Sequence, residues 1–310
     1  MRVLITGATG FVGSSLYKKL YQHTVRLTAR RSLFDDSLDF IKQNMSSTAD
    51  FSDCLADIDV VIHTAARVHQ MNDQSADPLS EFMETNCHAT VELARQAAGA
   101  GVKRFIFISS IKVNGEESKE GFPFRYDDDC NSLDPYGQSK AAAEEGLFEL
   151  AHETGLEVVI IRPPLVYGPG VKANFESLMK LTLRNLPLPL GAIKNKRSYV
   201  AVDNLLDLIR VCVDHPKAGN QVFLVSDDYD VSTTQLIGIM ANAFGNRPRL
   251  MKISPAFLKL VAKVIGKKNI IDRLCSNLQV DIEHTKATLG WKPAVSMENG
   301  VRLCAAHLRK

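Results

Sequence analysis

The sequence lacks most of the features that mark specialised protein classes. Its six cysteines contain no Cys-x-x-Cys pair, which argues against a disulfide framework or a cysteine-ligated metal site. No apolar run approaches the roughly 20 residues that span a bilayer. The 37 basic and 35 acidic residues nearly cancel, to a net charge of +2. That balance argues against a dedicated nucleic-acid-binding protein, which would carry a concentrated basic face.

What remains is the composition of an ordinary globular protein. The 310 residues are 45% hydrophobic and 23% charged, which allows one large domain or two around a sizeable core. The first predicted strand begins at residue 2 and leaves no room for a signal peptide, so we expect a cytoplasmic protein. Residues 255–268 are amphipathic and end in two lysines. This pattern favours a core-facing helix over a helix that contacts a membrane surface.

The first half of the chain alternates apolar runs with helical patterns, which is typical of a parallel sheet covered by helices on both faces. The predicted strands are Arg2–Thr6, Thr24–Thr28, Asp59–His63, Lys103–Ser109 and Glu157–Arg162. Residues 32–57 show no clear third strand, whereas Pro78–Ala98 has the pattern of one long helix. Later helices are shorter and are predicted at about 203–213, 232–244, 256–265, 283–289 and 297–308. The fold class is therefore α/β, a doubly wound parallel sheet with a smaller C-terminal lobe.

A glycine-rich loop follows the first predicted strand and opens the first predicted helix. Its glycines are Gly7, Gly10 and Gly13, spaced G-x-x-G-x-x-G. Glycines at such a turn let the backbone approach a pyrophosphate, which the positive end of a helix also attracts. A plain glycine-rich turn is the alternative. The position directly between strand and helix favours a dinucleotide-binding loop.

A tyrosine and a lysine four residues apart follow the glycine loop by about 130 residues. Tyr136 and Lys140 lie on one face of a predicted helix that Asp134 can cap. An ammonium beside a phenol favours the phenolate, so we expect Lys140 to lower the pKa of Tyr136 from about 10. Such a tyrosine can exchange a proton with a sugar hydroxyl while a nicotinamide takes or gives a hydride.

Together these motifs resemble the extended short-chain dehydrogenase/reductases, which include nucleotide-sugar epimerases, dehydratases and 4-ketoreductases. The resemblance covers nearly the whole chain and is greatest to the UDP-glucose 4-epimerase-like members of bacterial surface-polysaccharide synthesis. Its further segments are His63-Thr-Ala-Ala66, Asn86, Ser109-Ser110, Val166-Tyr-Gly-Pro-Gly170 and Arg197-Ser-Tyr-Val-Ala-Val-Asp203.

The resemblance implies a Rossmann-type NAD(P)-binding domain and a smaller nucleotide-sugar-binding lobe. The Rossmann-type domain would cover residues 1–168, and residues 197–225 would return to it. The lobe would comprise residues 169–196 and 226–310. The family also implies a homodimer through the helices near 79–98 and 135–154.

The same resemblance implies roles for individual residues. The catalytic residues would be Ser110, Tyr136 and Lys140, with Ser109 as the second choice for the serine. Cofactor contacts would come from Gly7, Gly10, Phe11, Val12, Gly13, Arg30, His63, Ala65, Ala66 and Lys140. Substrate contacts would come from Ser110, Asn174, Arg197 and Arg273. The histidines at 63, 69 and 88 lack consistent ligand spacing, so we expect no metal site and structural roles for all three.

Two departures from the family pattern bear on the reaction and the cofactor. Dehydratases of the family carry acidic residues after the catalytic serine or threonine, where this chain has Ile111-Lys112, so a dehydratase is disfavoured. The second strand ends Thr28-Ala29-Arg30-Arg31, without the acid that binds the adenosine 2′-hydroxyl of NAD. The cofactor is therefore NAD or NADP, with NADP slightly favoured by Arg30.

These observations predict an NAD(P)-dependent nucleotide-sugar 4-epimerase that acts at C4 of a UDP-hexose or UDP-N-acetylhexosamine. The alternative is an NADPH-dependent reductase of a UDP-4-keto-6-deoxy-hexosamine, which the absent acid and Arg30 favour. A more remote alternative is a non-catalytic redox sensor that binds NADP. The Tyr136/Lys140 pair argues against the sensor, which needs no tuned phenol.

Overall fold

The structure is a computed structural model that describes residues 1–31, 38–68, 77–264 and 266–309. The strands of this part of the chain are β1 (Arg2–Thr6), β2 (Thr24–Ala29), β3 (Asp39–Lys42), β4 (Val60–His63), β5 (Arg104–Ile108), β6 (Glu157–Arg162), β7 (Leu165–Tyr167), β8 (Tyr199–Ala201) and β9 (Gln221–Leu224). Seven of them form one parallel sheet in the order β3-β2-β1-β4-β5-β6-β9. The remaining two, β7 and β8, pair in parallel as a small separate sheet.

Helices connect these strands and cover both faces of the large sheet. They are α1 (Gly13–Lys19), α2 (Ser52–Leu55), α3 (Pro78–Phe82), a π-helical turn (Met83–His88), α4 (Ala89–Gly99), a 3₁₀ turn (Ile111–Val113), α5 (Pro135–Thr154), α6 (Ala173–Leu183), α7 (Val202–Asp214), α8 (Thr233–Ala243), α9 (Pro255–Val264), α10 (Lys268–Cys275), α11 (Glu283–Leu289) and α12 (Met297–Leu308). The central strands bury continuous Val, Ile, Leu and Phe runs because helices pack on both sides. None of the described helices is long and apolar enough to cross a bilayer.

Three hydrophobic cores hold these layers together. One lies between the sheet and the side of α1 and α7, and a second lies between the opposite face and the side of α4 and α5. The third joins α6, α8 and α12 to the small sheet of β7 and β8 in the C-terminal part of the chain. The parallel, doubly wound arrangement confirms the predicted Rossmann-type α/β class.

The five strands and most helices predicted from the sequence are present, and the departures have physical reasons. The prediction that residues 32–57 contain no clear third strand is wrong, because β3 lies there, at the edge of the sheet. Its polar ends and half-buried residues explain why the sequence shows no strand pattern. Residues 32–37 of that stretch lie outside the described part. The helix predicted at 256–265 faces the core through Leu258 and Ala262, and α9 in addition exposes a second apolar row that the prediction did not include.

Candidate active site

The candidate site lies at the carboxyl edge of the large sheet. Because β1, β4 and β5 are adjacent and parallel, the segments that follow them meet at one edge. The glycine loop follows β1, residues 64–68 follow β4, and Ser109-Ser110 follows β5. The first two turns of α5 contribute Tyr136 and Lys140, and the Asp134 carboxylate caps the helix by accepting a hydrogen bond from Gly137 N at 3.2 Å.

Each glycine of the loop is needed for a different reason. Gly7 has a φ of +69°, and a Cβ there would lie 2.6 Å from Ala65 N. A Cβ on Gly13 would collide with Gly7 O, so helix and strand could not pack as closely. Gly10 is exposed, and the only neighbour its Cβ would meet among the described residues is Gly7 O at 3.2 Å. Its outer side is therefore open to a close ligand, which fits a bound dinucleotide pyrophosphate.

The residues after β4 close the other side of the glycine loop. Ala65 and Ala66 are half-buried, and Ala65 packs on Gly7. His63 is only 1% exposed, and its ring nitrogens lie 2.7 Å from Thr6 Oγ1 and 3.0 Å from Thr90 Oγ1. Burial, aided by the positive charge of Lys140, lowers the pKa of His63 to about 3. His63 is thus a neutral structural residue under the loop, and any cofactor contact through it stays a prediction.

Asn86 is a site residue whose role the sequence did not reveal. It is fully buried in the π-helical turn, and its side chain exchanges hydrogen bonds of 2.8 and 3.0 Å with the Arg67 backbone. Its amide also donates to Ser139 Oγ at 3.1 Å, directly before Lys140. Asn86 therefore ties the segment after β4 to the helix that carries the Tyr136/Lys140 pair. Only its position in the family pattern could have indicated it.

The structure distinguishes the two serines that end β5. Ser109 is buried and donates to Glu144 Oε1. Ser110 is partly exposed, and its hydroxyl is near enough to the Tyr136 phenol to influence its pKa. Ser110 Oγ accepts a hydrogen bond from Lys112 N at 3.3 Å. The expectation that Ser110 contacts a reacting oxygen together with Tyr136 stays a prediction, while Ser109 supports the helix behind it.

The charges around Tyr136 differ from the sequence-based expectation. Burial raises the pKa of Tyr136 to about 12, the nearby Ser110 hydroxyl opposes the rise, and the negative charge of Asp134 adds to it. Lys140 is turned away, because its Nζ donates to Ile108 O at 3.0 Å and lies 4.2 Å from the centre of the Phe107 ring. The prediction that Lys140 lowers the pKa of Tyr136 is therefore wrong for this arrangement. The phenol is a neutral proton donor at neutral pH.

Lys140 is itself strongly perturbed. It is 1% exposed, and burial lowers its pKa to about 7, an effect that the Glu144 carboxylate opposes. Glu144 follows Lys140 by one turn of α5 and forms a buried ion pair with Arg162, at 2.6 Å between Oε2 and Nη2. Arg162 also donates to Asn114 Oδ1 at 3.1 Å. This buried network fixes α5 behind the catalytic candidates.

The remaining predicted residues lie further from this centre. Arg30 is exposed directly after β2, which ends in Thr28 and Ala29 without an acid. Asn174 is exposed in the first turn of α6, and no hydrogen bond or ion pair of the described residues links it to the other candidates. Arg197 Nη1 donates to Arg273 O at 3.1 Å and to Ser276 Oγ at 2.9 Å. The structure therefore brings Arg197 to the helix end that carries Arg273.

The histidines and cysteines show no sign of a metal centre in the described ranges. No group of three or more His, Cys, Asp or Glu side chains there could hold a metal ion. His88 is exposed on α4's N-terminal side, 3.5 Å from Glu84, and His69 lies outside the described residues. All six cysteines are free thiols.

Comparisons with known proteins agree with this geometry. The model of the NAD dependent epimerase/dehydratase family matches residues 3–231. The chain is 49% identical over 308 residues to a UDP-glucose 4-epimerase of Vibrio cholerae, covering 98% of this chain and 94% of that protein.

Solved structures give the same result for the fold. The chain is similar to the UDP-glucuronic acid 4-epimerase of Bacillus cereus in complex with NAD, with a TM-score of 0.80 at 22% identity over 100% of this chain and 96% of the other. It is also similar to MoeE5 in complex with UDP-glucose and NAD, with a TM-score of 0.78 at 25% identity over 100% and 99% of the two chains. The family match extends over most of the sequence and over the site just described. The chain therefore belongs to the NAD dependent epimerase/dehydratase family.

Proposed function

We propose that the protein is a nucleotide-sugar 4-epimerase that acts at C4 of a UDP-hexose or UDP-N-acetylhexosamine. The observation that carries the proposal is the placement of Ser110, Tyr136 and Lys140 at the carboxyl end of β5, on the sheet edge where the glycine loop follows β1. The relative from Vibrio cholerae, 49% identical over nearly the full length of both chains, carries the name of a UDP-glucose 4-epimerase. After Ser110 the chain has Lys112 where the dehydratases of the family have an acidic residue, so this site differs from the dehydratase pattern.

The dinucleotide, when bound, supplies the nicotinamide that accepts a hydride and returns it. The protein's own part is to hold the sugar oxygen and move its proton. The Ser110 hydroxyl lies near the Tyr136 phenol, and we propose that both contact the C4 oxygen. The neutral phenol suits the step in which that oxygen regains a proton. Removing the proton requires the phenolate, which a positive charge near the phenol would favour, and Lys140, one helical turn after Tyr136, is the candidate to supply that charge.

We propose that the nucleotide diphosphate lies against the C-terminal lobe formed by residues 169–196 and 226–310. The Arg197 guanidinium donates a hydrogen bond to the backbone oxygen of Arg273 in α10, so the two residues are neighbours. Arginine suits bidentate phosphate contacts. Asn174 would add a contact from the start of α6. The helices α4 and α5 pack side by side, and we propose them as the interface of a homodimer.

A 4-ketoreductase is the second candidate, and two observations favour it. Arg30 is exposed at the end of β2 with no acid beside it, which suits the 2′-phosphate of an exchangeable NADPH. The residues after Ser110 are Ile111 and Lys112, so the acid that a dehydratase needs is missing, which also suits a reductase.

Turnover by the purified protein distinguishes the two candidates. We expect UDP-glucose or UDP-N-acetylglucosamine to yield its C4 epimer without added cofactor and without net dinucleotide consumption. A protein that epimerises neither sugar, but oxidises NADPH when given a UDP-4-keto-6-deoxy-hexosamine, would be the reductase instead.

A further inference from the structure

The helix α9 exposes an apolar stripe that the candidate active site does not use. Phe257, Leu260, Val261 and Val264 are 58%, 61%, 40% and 81% exposed. Their i, i+3, i+4, i+7 spacing places all four on one side of the helix, away from its buried row. Single exposed apolar residues are ordinary on protein surfaces, but four on two consecutive turns form a contiguous patch. Ile270, in the following helix α10, is also an exposed apolar residue.

The same part of the chain carries a concentrated positive charge. Residues 231–271 contain no Asp or Glu, and they contain seven basic residues: Arg247, Arg249, Lys252, Lys259, Lys263, Lys267 and Lys268. The rest of the chain has 30 basic and 35 acidic residues and is therefore net negative. The four lysines of the α9–α10 region, at 259, 263, 267 and 268, are all exposed. On a helix with 100° per residue, Lys259 and Lys263 lie on the row beside the apolar stripe.

We propose that α9 is an interfacial helix that docks the protein on an anionic lipid bilayer. An apolar stripe with lysines beside it is the pattern that inserts shallowly between headgroups while its charges attract anionic lipid. With ten residues, α9 is too short to span a bilayer and would lie in its plane. Asp272, the first acid after the basic stretch, lies 3.7 Å from Lys259, and within the described ranges no ion pair involves the other three lysines.

Charge decides between a bilayer and the other surfaces that could cover this stripe. In a symmetric contact with a second copy, the same patch would face itself and bring two clusters of lysines together. An anionic membrane has the complementary charge and an apolar layer beneath it. Because α9 lies within the proposed substrate lobe, docking through α9 would hold that lobe against the lipid.

Vesicle sedimentation with the full chain tests the proposal. We expect the protein to sediment with phosphatidylcholine vesicles that contain phosphatidylglycerol and not with phosphatidylcholine alone. The triple substitution Phe257→Ser, Leu260→Ser, Val264→Ser should lower the partition coefficient about tenfold or more, since it removes three apolar side chains from the contact. Changing the four exposed lysines to Gln should lower it similarly. Tyr21→Ser, at a position 79% exposed elsewhere on the protein, is the matched control and should change nothing.

A tryptophan at the stripe gives an independent readout. Phe257→Trp should show a blue shift of its emission when anionic vesicles are added, because the new indole would move from water into lipid. Trp291 is buried and contributes only a constant background. Absent vesicle binding, or binding that the triple substitution does not reduce, would overturn the proposal. A lipid-independent dimer that the triple substitution dissociates, seen by light scattering, would also overturn it in favour of a second copy. Circular dichroism melting of each variant establishes that it remains folded.

Discussion

Glu144→Gln replaces one buried carboxylate oxygen behind the catalytic candidates with an amide NH2 group. We expect it to change both the stability of the fold and the pH dependence of turnover. Glu144 and Arg162 have side chains 4% and 6% exposed, and both carboxylate oxygens accept bonds from the guanidinium, at 2.6–3.1 Å. Glutamine keeps the shape and one acceptor, so it can still receive the Ser109 hydroxyl. It cannot neutralise Arg162, whose charge would stay buried without its partner.

The expected magnitude follows from this burial. Removing one member of a buried ion pair costs about 3–5 kcal/mol, because the remaining charge is left uncompensated. A surface pair would lose less than about 1 kcal/mol, so the neighbouring exposed Glu145→Gln is the matched control. Replacing both Glu144 and Arg162 with methionine should recover most of the loss, since no unpaired charge remains. Urea unfolding followed by circular dichroism measures each difference.

The second effect concerns the pKa of Lys140. Burial lowers this pKa to about 7, and the Glu144 carboxylate opposes the decrease. Without that carboxylate the pKa of Lys140 should fall further. If turnover needs protonated Lys140, activity is lost as pH rises through this pKa, so the alkaline limb of kcat/KM should move to lower pH. Unchanged stability together with an unchanged alkaline limb would refute the assignment of Glu144 to this network. The same profile in Glu145→Gln should match that of the unsubstituted protein.

Three further substitutions test individual contacts. Tyr136→Phe removes the exchangeable proton and little packing, so turnover should fall by about 10²–10⁴ while dinucleotide affinity, measured by fluorescence titration, is unchanged; near-normal turnover would exclude its role. Arg30→Ala should weaken NADP binding about tenfold or more and spare NAD, since only NADP carries a 2′-phosphate; equal losses would leave Arg30 a solvated charge. Arg197→Ala should weaken binding of free UDP in calorimetry, with exposed Lys194→Ala as the control; unchanged affinity would remove Arg197 from the site.

The features that the sequence predicted well are those encoded locally. The apolar runs of the central strands and the glycine spacing are short patterns, so β1, β4, β5 and the loop after β1 were recognisable without tertiary information. The edge strand β3 was not, because its polar ends and half-buried residues resemble a loop. The outward stripe of α9 was also hidden, since periodicity shows an apolar row without showing which side of the helix is covered.

The details of the site that the sequence missed depend on distant partners. What distinguishes Ser109 from Ser110 is Glu144, which lies 35 residues further along the chain and accepts a hydrogen bond from the Ser109 hydroxyl. Lys140 has the spacing expected for a partner of Tyr136, yet its ammonium lies against Ile108 O and the Phe107 ring. No local sequence pattern determines this side-chain conformation of Lys140. The pKa values of such buried groups therefore follow from the packing rather than from sequence spacing.

The most direct test of the proposed reaction is the fate of the hydrogen on C4. The purified protein should be incubated with a UDP-hexose and a UDP-N-acetylhexosamine deuterated at C4, with no dinucleotide added, and the products followed by NMR. An epimerase returns the same hydride to the same carbon, so the C4 epimer should appear with its deuterium retained. Formation of no epimer from either sugar, or an epimer that has lost the label to solvent, would contradict the account.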